Sequence, residues 1–87
     1  GQLTLGNNYP NPYNNQTLIP FVVPESGPVR LDIYNTSGVL IRTLVNENFP
    51  TGYYEVPFNG AGLASGVYFY RLITNQGVLI EKMLLAK

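Results

Sequence analysis

The strongest constraint on this chain is a two-residue alternation that is repeatedly interrupted by glycine and proline. In "PVRLDIYN" (Pro28 to Asn35), Val29, Leu31 and Ile33 fall on one side while Arg30, Asp32 and Tyr34 fall on the other. That period belongs to a strand with one buried and one wetted face. "VYFYRLITN" (Val67 to Asn75) sorts the same way, with Tyr68, Tyr70 and Leu72 opposite Val67, Phe69, Arg71 and Ile73. "YYEVPFN" (Tyr53 to Asn59) sets Tyr54, Val56 and Phe58 against Tyr53, Glu55 and Pro57. The runs are short, recur about every ten residues, and are separated by "ESG", "NTSG", "NFPTG", "NGAGLASG" and "NQG", a spacing typical of an all-β sandwich. The expected fold is therefore an all-β antiparallel sandwich of about seven strands with Greek-key connections.

Departures from the alternation carry information of their own. "TLIPFVVP" (Thr17 to Pro24) is β-prone, but Pro20 lacks a donor, which predicts an edge or bulged strand; Pro57 marks another edge. In "VLIRTLVNE" (Val39 to Glu47), Ile41 and Leu44 break the period and predict a bulge or a change of pairing. Gly38 suits the positive φ of a hairpin turn, and Leu63 is the one large apolar residue of its loop, expected to tuck under the sandwich. "VLIEKMLLAK" (Val78 to Lys87) reads as the closing strand; a helix there would lack both cap and length.

Composition narrows the chemistry. At 87 residues the chain suits one domain of modest stability. Five basic and five acidic residues cancel, which argues against nucleic-acid or anionic-membrane binding. With no Cys and no His, disulfides, thiolate metal sites and the usual general base are all excluded. The carboxylates Glu25, Asp32, Glu47, Glu55 and Glu81 lie at turns or on strand faces that read as solvent-exposed, where they make poor general acids. No catalytic residue, cofactor or metal site is assigned. A single Asp argues against a strong calcium site, and the triplets Asn15-Gln16-Thr17 and Asn35-Thr36-Ser37 arise easily by chance in an Asn-rich chain. Sugar binding on aromatic platforms is the fairer rival, with Tyr34 and Tyr53 as the outward-facing candidates, although small sandwiches also fill their cores with aromatics. No apolar run approaches the length of a membrane span and no signal peptide is visible, so an exported parent would carry its targeting peptide before residue 1.

"NNYPNPYNN" (Asn7 to Asn15) fits neither helix nor strand well, and it opens the stretch that carries a family resemblance. "NYPNPYNN", "IPFVVPESGPVRLDIYNTSGVLIRTLV", "GYYEVPF", "GLASGVYFYRL" and "KMLLAK" follow one another in the order of the type A C-terminal sorting domain of the type IX (Por) secretion system, which the chain resembles along nearly its full length. The Ig-like domain of flagellar hook-capping proteins shares the style of "VRLDIYNTSGVLIRTL" and "GVYFYRL" but explains the opening and the basic end less well. The resemblance marks Asn8, Tyr9, Pro10, Asn11, Pro12, Tyr13, Gly66, Val67, Tyr68 and Tyr70 as family motif. Tyr13 stands where Phe is usual, Phe58 where Trp is common, and "NNQT" replaces a Pro-containing loop.

The resemblance implies a non-catalytic, Ig-like sandwich at the end of a secreted cargo protein. It implies an N-terminal cargo domain, passage through the periplasm, an outer-membrane translocon, a sortase-like peptidase that removes the domain, and a cargo that is released or held at the cell surface. Residues 1–16 are expected to form an extended Asn/Pro-rich segment packed on a sandwich of residues 17–87, pre-stiffened by Pro10 and Pro12 and able to serve as a plug or as a docking surface. The terminal residues Lys82, Met83, Leu84, Leu85, Ala86 and Lys87 are the candidate recognition stretch, through receptor contact or addition of a strand to a free edge. Their ordinary alternative is a closing strand with Met83 and Leu85 in the core. Deleting Met83 to Lys87 from a cargo protein is expected to leave the cargo folded but retained in the periplasm. Exposed edges also allow weak homodimers. An Ig-like accessory or carbohydrate-binding module of an extracellular enzyme is the other reading.

Overall fold

A computed structural model describes all of residues 1–87. Seven strands and no helix form two sheets: β1 (Thr4–Leu5), β2 (Gln16–Val23), β3 (Gly27–Tyr34), β4 (Leu40–Phe49), β5 (Gly52–Asn59), β6 (Gly66–Thr74) and β7 (Gly77–Leu85). One sheet has the order β1-β2-β5 and the other β4-β3-β6-β7, with every neighbouring pair antiparallel. The chain crosses between sheets after β2, β4 and β5, giving the three-on-four division of a seven-stranded Ig-like sandwich.

The alternating sides find their places. Ile19, Phe21 and Val23 of β2 and Phe58 of β5 meet Val29, Leu31 and Ile33 of β3, and Tyr70 and Leu72 of β6; Met83 and Leu85 of β7 complete that layer. Each such side chain removed from water contributes about 1.5–3 kcal/mol, and with no disulfide this burial is the main term holding the layers together. Leu63 packs against the core from its loop.

The period break in β4 is a pair of bulges. Leu31 faces Val45 but Asp32 faces Thr43, skipping Leu44; Ile33 faces Arg42 but Tyr34 faces Leu40, skipping Ile41. The two extra residues let Ile41 and Leu44 pack on the core along with Val45, and they twist an otherwise exposed sheet edge. β5 is an edge strand, which is where Pro57 is tolerated.

Pro20 corrects the simple edge reading, because β2 is the middle strand of its sheet. Its outer side is bordered by very little regular strand. β1 pairs only with Phe21 and Val22, after which the Pro20 carbonyl accepts from the Gly6 N–H at 2.9 Å. A carbonyl is all that position has to offer, so the missing N–H costs nothing. At the β3–β4 hairpin, Gly38 takes φ +79° and Asn35 Oδ1 accepts from the backbone N–H groups of Ser37 (2.9 Å) and Val39 (3.0 Å).

Candidate recognition site

The segment before β2 runs antiparallel along the outer side of that strand and then crosses to the other sheet. Tyr9 and Leu18 exchange backbone bonds of 3.0 and 2.9 Å; four residues later Tyr13 forms a parallel bridge with Leu85. The segment thus acts as a strap from β2 to β7 across the end of the sandwich, and both of its Xaa-Pro bonds, Tyr9–Pro10 and Asn11–Pro12, are cis.

Asn8 anchors the strap beneath the surface. Its backbone N–H donates to the Tyr70 hydroxyl (3.0 Å), which donates in turn to the Gly6 carbonyl (2.7 Å). Asn8 Nδ2 donates to Thr17 Oγ1 (3.0 Å), and that hydroxyl donates to the Pro10 carbonyl (2.9 Å). Two residues invisible to an apolar count, Asn8 and Thr17, are buried within this chain of donors and acceptors, in which Asn8 Oδ1 alone has no partner in the protein.

Tyr13 is the second anchor, with 1% of its surface exposed. Its ring meets Phe58 edge-on at 6.3 Å, while its hydroxyl has no hydrogen-bond partner in the protein. Burial first, and the neighbouring Tyr68 second, push the Tyr13 hydroxyl up to about 12. Tyr70 is also raised to about 12 by burial, opposed by the Asn8 N–H bond and assisted by Glu81. Gly60 leaves room for the ring: a Cβ there would lie 3.2 Å from Leu85 Cδ2 and 3.3 Å from Tyr13 Cε2.

The strap also covers part of the β7 edge. Leu84 donates its N–H to Asn11 Oδ1 (3.0 Å) and accepts from the Tyr13 N–H (3.0 Å); Ala86 donates to the Tyr13 carbonyl (2.8 Å). Both outward backbone groups of Leu84 and the N–H of Ala86 are thereby occupied, and the free part of the edge is Val78, Ile80 and Lys82. Of the terminal stretch, Met83 and Leu85 are core, whereas Lys82, Leu84, Ala86 and Lys87 are exposed. Lys87 folds back, its N–H donating to Ser65 Oγ (3.2 Å) and its ammonium to the Leu63 carbonyl. Of the family-motif residues, Asn8, Tyr13, Tyr68 and Tyr70 are buried, Gly66 is half-buried, and Tyr9, Pro10, Asn11, Pro12 and Val67 are exposed.

The carboxylates need one correction each at Asp32 and Glu81. Asp32 lies on the outward row of β3 yet is 0% exposed. Arg30 Nε spans its two oxygens at 3.1 and 2.9 Å, Thr43 Oγ1 donates at 2.8 Å and the Tyr34 hydroxyl at 3.3 Å. Arg71 completes the cover, stacking 4.8 Å over the Tyr34 ring and donating Nη2 to its hydroxyl. Arg30-x-Asp32-x-Tyr34 was visible as one row, but Thr43 and Arg71 join it only through cross-strand register, which a single sequence does not contain. Glu81 belongs to the inward row of β7, opposite Tyr70, and is half-buried. No three of the acids gather where they could hold a metal ion. Tyr34 and Tyr53 occupy the outer faces of different sheets, so they form no shared stacking platform; the Tyr53 hydroxyl donates to Glu55 Oε2 at 2.8 Å.

The geometry is that of a two-sheet module whose terminal strand is clamped by its own leading segment. No curated protein matches the chain. The model of the secretion system C-terminal sorting domain family matches residues 7–86, spanning the strap, both sheets and the terminal strand. That family is non-catalytic, and its members mark a protein for type IX export to the exterior or the cell surface. The chain belongs to the secretion system C-terminal sorting domain family, and its function is that of a C-terminal sorting signal for type IX secretion.

Proposed function

We propose that the signal is read from the terminal stretch as a fixed surface, with Lys82, Leu84, Ala86 and Lys87 facing the secretion machinery while Met83 and Leu85 hold them in place. The supporting observation is the pair of bonds from the strap to Leu84, one from the Tyr13 N–H and one to Asn11 Oδ1. They fix the outward rows of the final strand at its very end, where an edge would otherwise fray. A module without disulfides has to be rigid by packing if it is to fold in the periplasm after its cargo, and the strap supplies that rigidity by joining the two sheets. The translocon then receives a folded module, and a sortase-like peptidase separates it from the N-terminal cargo. The module itself has no catalytic part in these steps.

The test is a reporter carrying its own inner-membrane signal peptide and fused ahead of residues 1–87, expressed in a bacterium with the secretion system. The reporter is expected outside the cell or on its surface, and in the periplasm when the translocon gene is deleted. Deleting Met83 to Lys87 would not separate recognition from folding, because it removes two core side chains. Leu84→Glu with Lys82→Glu alters only the exposed row. Export of that double variant at the unaltered rate, in a folded module, would refute the terminal stretch as the surface that is read.

A further inference from the structure

The outer face of the four-stranded sheet gathers most of the molecule's exposed large hydrophobics. Of its large hydrophobics left open to water, Leu40, Val67, Val78, Ile80 and Leu84 lie on this one face, with Val78 53% and Ile80 58% exposed. Cross-strand register sets Val67 beside Leu84, Ile73 beside Val78, and Arg71 beside Ile80, so the apolar side chains run together along β6 and β7. Between Arg71, Tyr34, Phe69 and Ile80 lies a shallow hollow of about 420 Å³.

The charges on the same face have one sign. Arg30, Arg71 and Lys82 are present, against Asp32 alone, and Asp32 is fully covered. The remaining acids lie elsewhere. Glu25 sits in the β2–β3 turn, Glu47 and Glu81 belong to inward rows, and Glu55 is on the other sheet. Two copies meeting face to face would therefore oppose cations to cations with no accessible carboxylate between them, which disfavours self-association here. An anionic lipid surface is also a poor fit. Stable electrostatic attachment takes a cluster of roughly four to eight mobile basic side chains, and here Arg30 and Arg71 are tethered to Asp32 and Tyr34. A pre-set Arg stacked on Tyr, with aliphatic side chains beside it on the face of a sheet, is instead the composition of a protein-binding hot spot.

We propose that the outer face of the four-stranded sheet, centred on Arg71 and Ile80, docks a protein partner whose contact patch is apolar and seats a carboxylate on Arg71. This rests on the sorting reading, since the partner belongs to the export route. The face shares Lys82 and Leu84 with the terminal stretch invoked above, but Ile80 and Val78 lie outside that stretch, so variants at those two positions test the face on its own.

The experiment uses the full reporter fusion. Ile80→Glu and Ile80→Lys both delete the same apolar contact, but only the first opposes a partner's carboxylate. Ile80→Glu is expected to reduce export at least about tenfold more than Ile80→Lys, Val78→Glu to follow Ile80→Glu, and Tyr53→Glu on the opposite sheet to leave export unchanged. A photo-crosslinking phenylalanine in place of Ile80 is expected to capture a protein through a peptide containing Asp or Glu. Equal losses for Glu and Lys, undiminished export of Ile80→Glu, or an adduct to lipid, to a second copy of this chain, or to a peptide without an acid would each overturn the proposal. Failure of the unaltered fusion to leave the cell would overturn the sorting reading instead.

Discussion

Replacing Tyr13 by Phe removes a single oxygen atom from the protein. The ring is 1% exposed, so its contact with Phe58 and its packing on Gly60 and Leu85 persist in the variant. The bonds from the Tyr13 backbone to Leu84 and Ala86 do not involve the side chain. What changes is a buried hydroxyl with no protein partner. Leaving such a group without a partner costs about 1–3 kcal/mol, so Tyr13→Phe should stabilise the fold by about that amount, or a rise in melting temperature of roughly 4–8 °C per kcal/mol for a domain of this size. The pH dependence gives an independent readout. Below pH 10 the hydroxyl is protonated folded and unfolded alike, and stability is independent of pH on its account. Above pH 10 the unfolded chain ionises first, because the folded pKa of Tyr13 is about 12. Stability is then lost by about 1.4 kcal/mol per pH unit up to about pH 12. Tyr70, also at about 12, contributes an equal slope. Urea unfolding between pH 7 and 11.5 should therefore show the variant more stable at neutral pH and losing stability at about half the native alkaline slope. A variant destabilised by 1 kcal/mol or more at pH 7, with the slope unchanged, would refute the assignment of an unpartnered hydroxyl at this position.

Other perturbations probe the strap and the outer cluster. Asp32→Ala strips the acceptor from Arg30 and Thr43 and should cost about 2–3 kcal/mol in chemical denaturation, because Arg30 is partly exposed and water can take over its charge; a loss under 1 kcal/mol would contradict the clamp. Gly60→Ala places a methyl against Leu85 and Tyr13 and should cost about 1–3 kcal/mol, read as a lower melting temperature. Asn11→Ala removes the acceptor of the Leu84 N–H while leaving the core intact. It should lower global stability by no more than about 1.5 kcal/mol and speed exchange of that one amide about fivefold or more.

Much of the sandwich was legible because burial on one face imposes a period on the residues themselves. The inward rows of β3, β5 and β6 follow from alternation alone, and the two breaks in β4 located both bulges because an inserted residue has to interrupt the period. β1 escaped the sequence reading: two residues cannot display a period, and Thr4–Leu5 pair with β2 only because the strap delivers them there. Asp32 was misplaced for a related reason. Alternation assigns a face, but whether a face is wet depends on the side chains of neighbouring strands, and Thr43 and Arg71 come from β4 and β6. The terminal stretch was legible as a strand and illegible as a clamped one, since its partners Asn11 and Tyr13 lie some seventy residues earlier in the chain.

That separation bears on how a sorting signal at the end of a chain stays presentable. A final strand on a sheet edge has two weaknesses: it frays, and it offers its backbone to any strand that passes. Here one device answers both at the vulnerable end, because the bonds that hold Leu84 and Ala86 also consume outward groups that would recruit another strand. The covered length stops short of Lys82, and there the side chains take over: Lys82 points outward, while Glu81 turns a carboxylate into the inward row. Charges placed on both faces of an uncovered edge discourage unspecific pairing there. The side chains of β6 and β7 then remain as the surface through which a partner distinguishes this module from any other small sandwich.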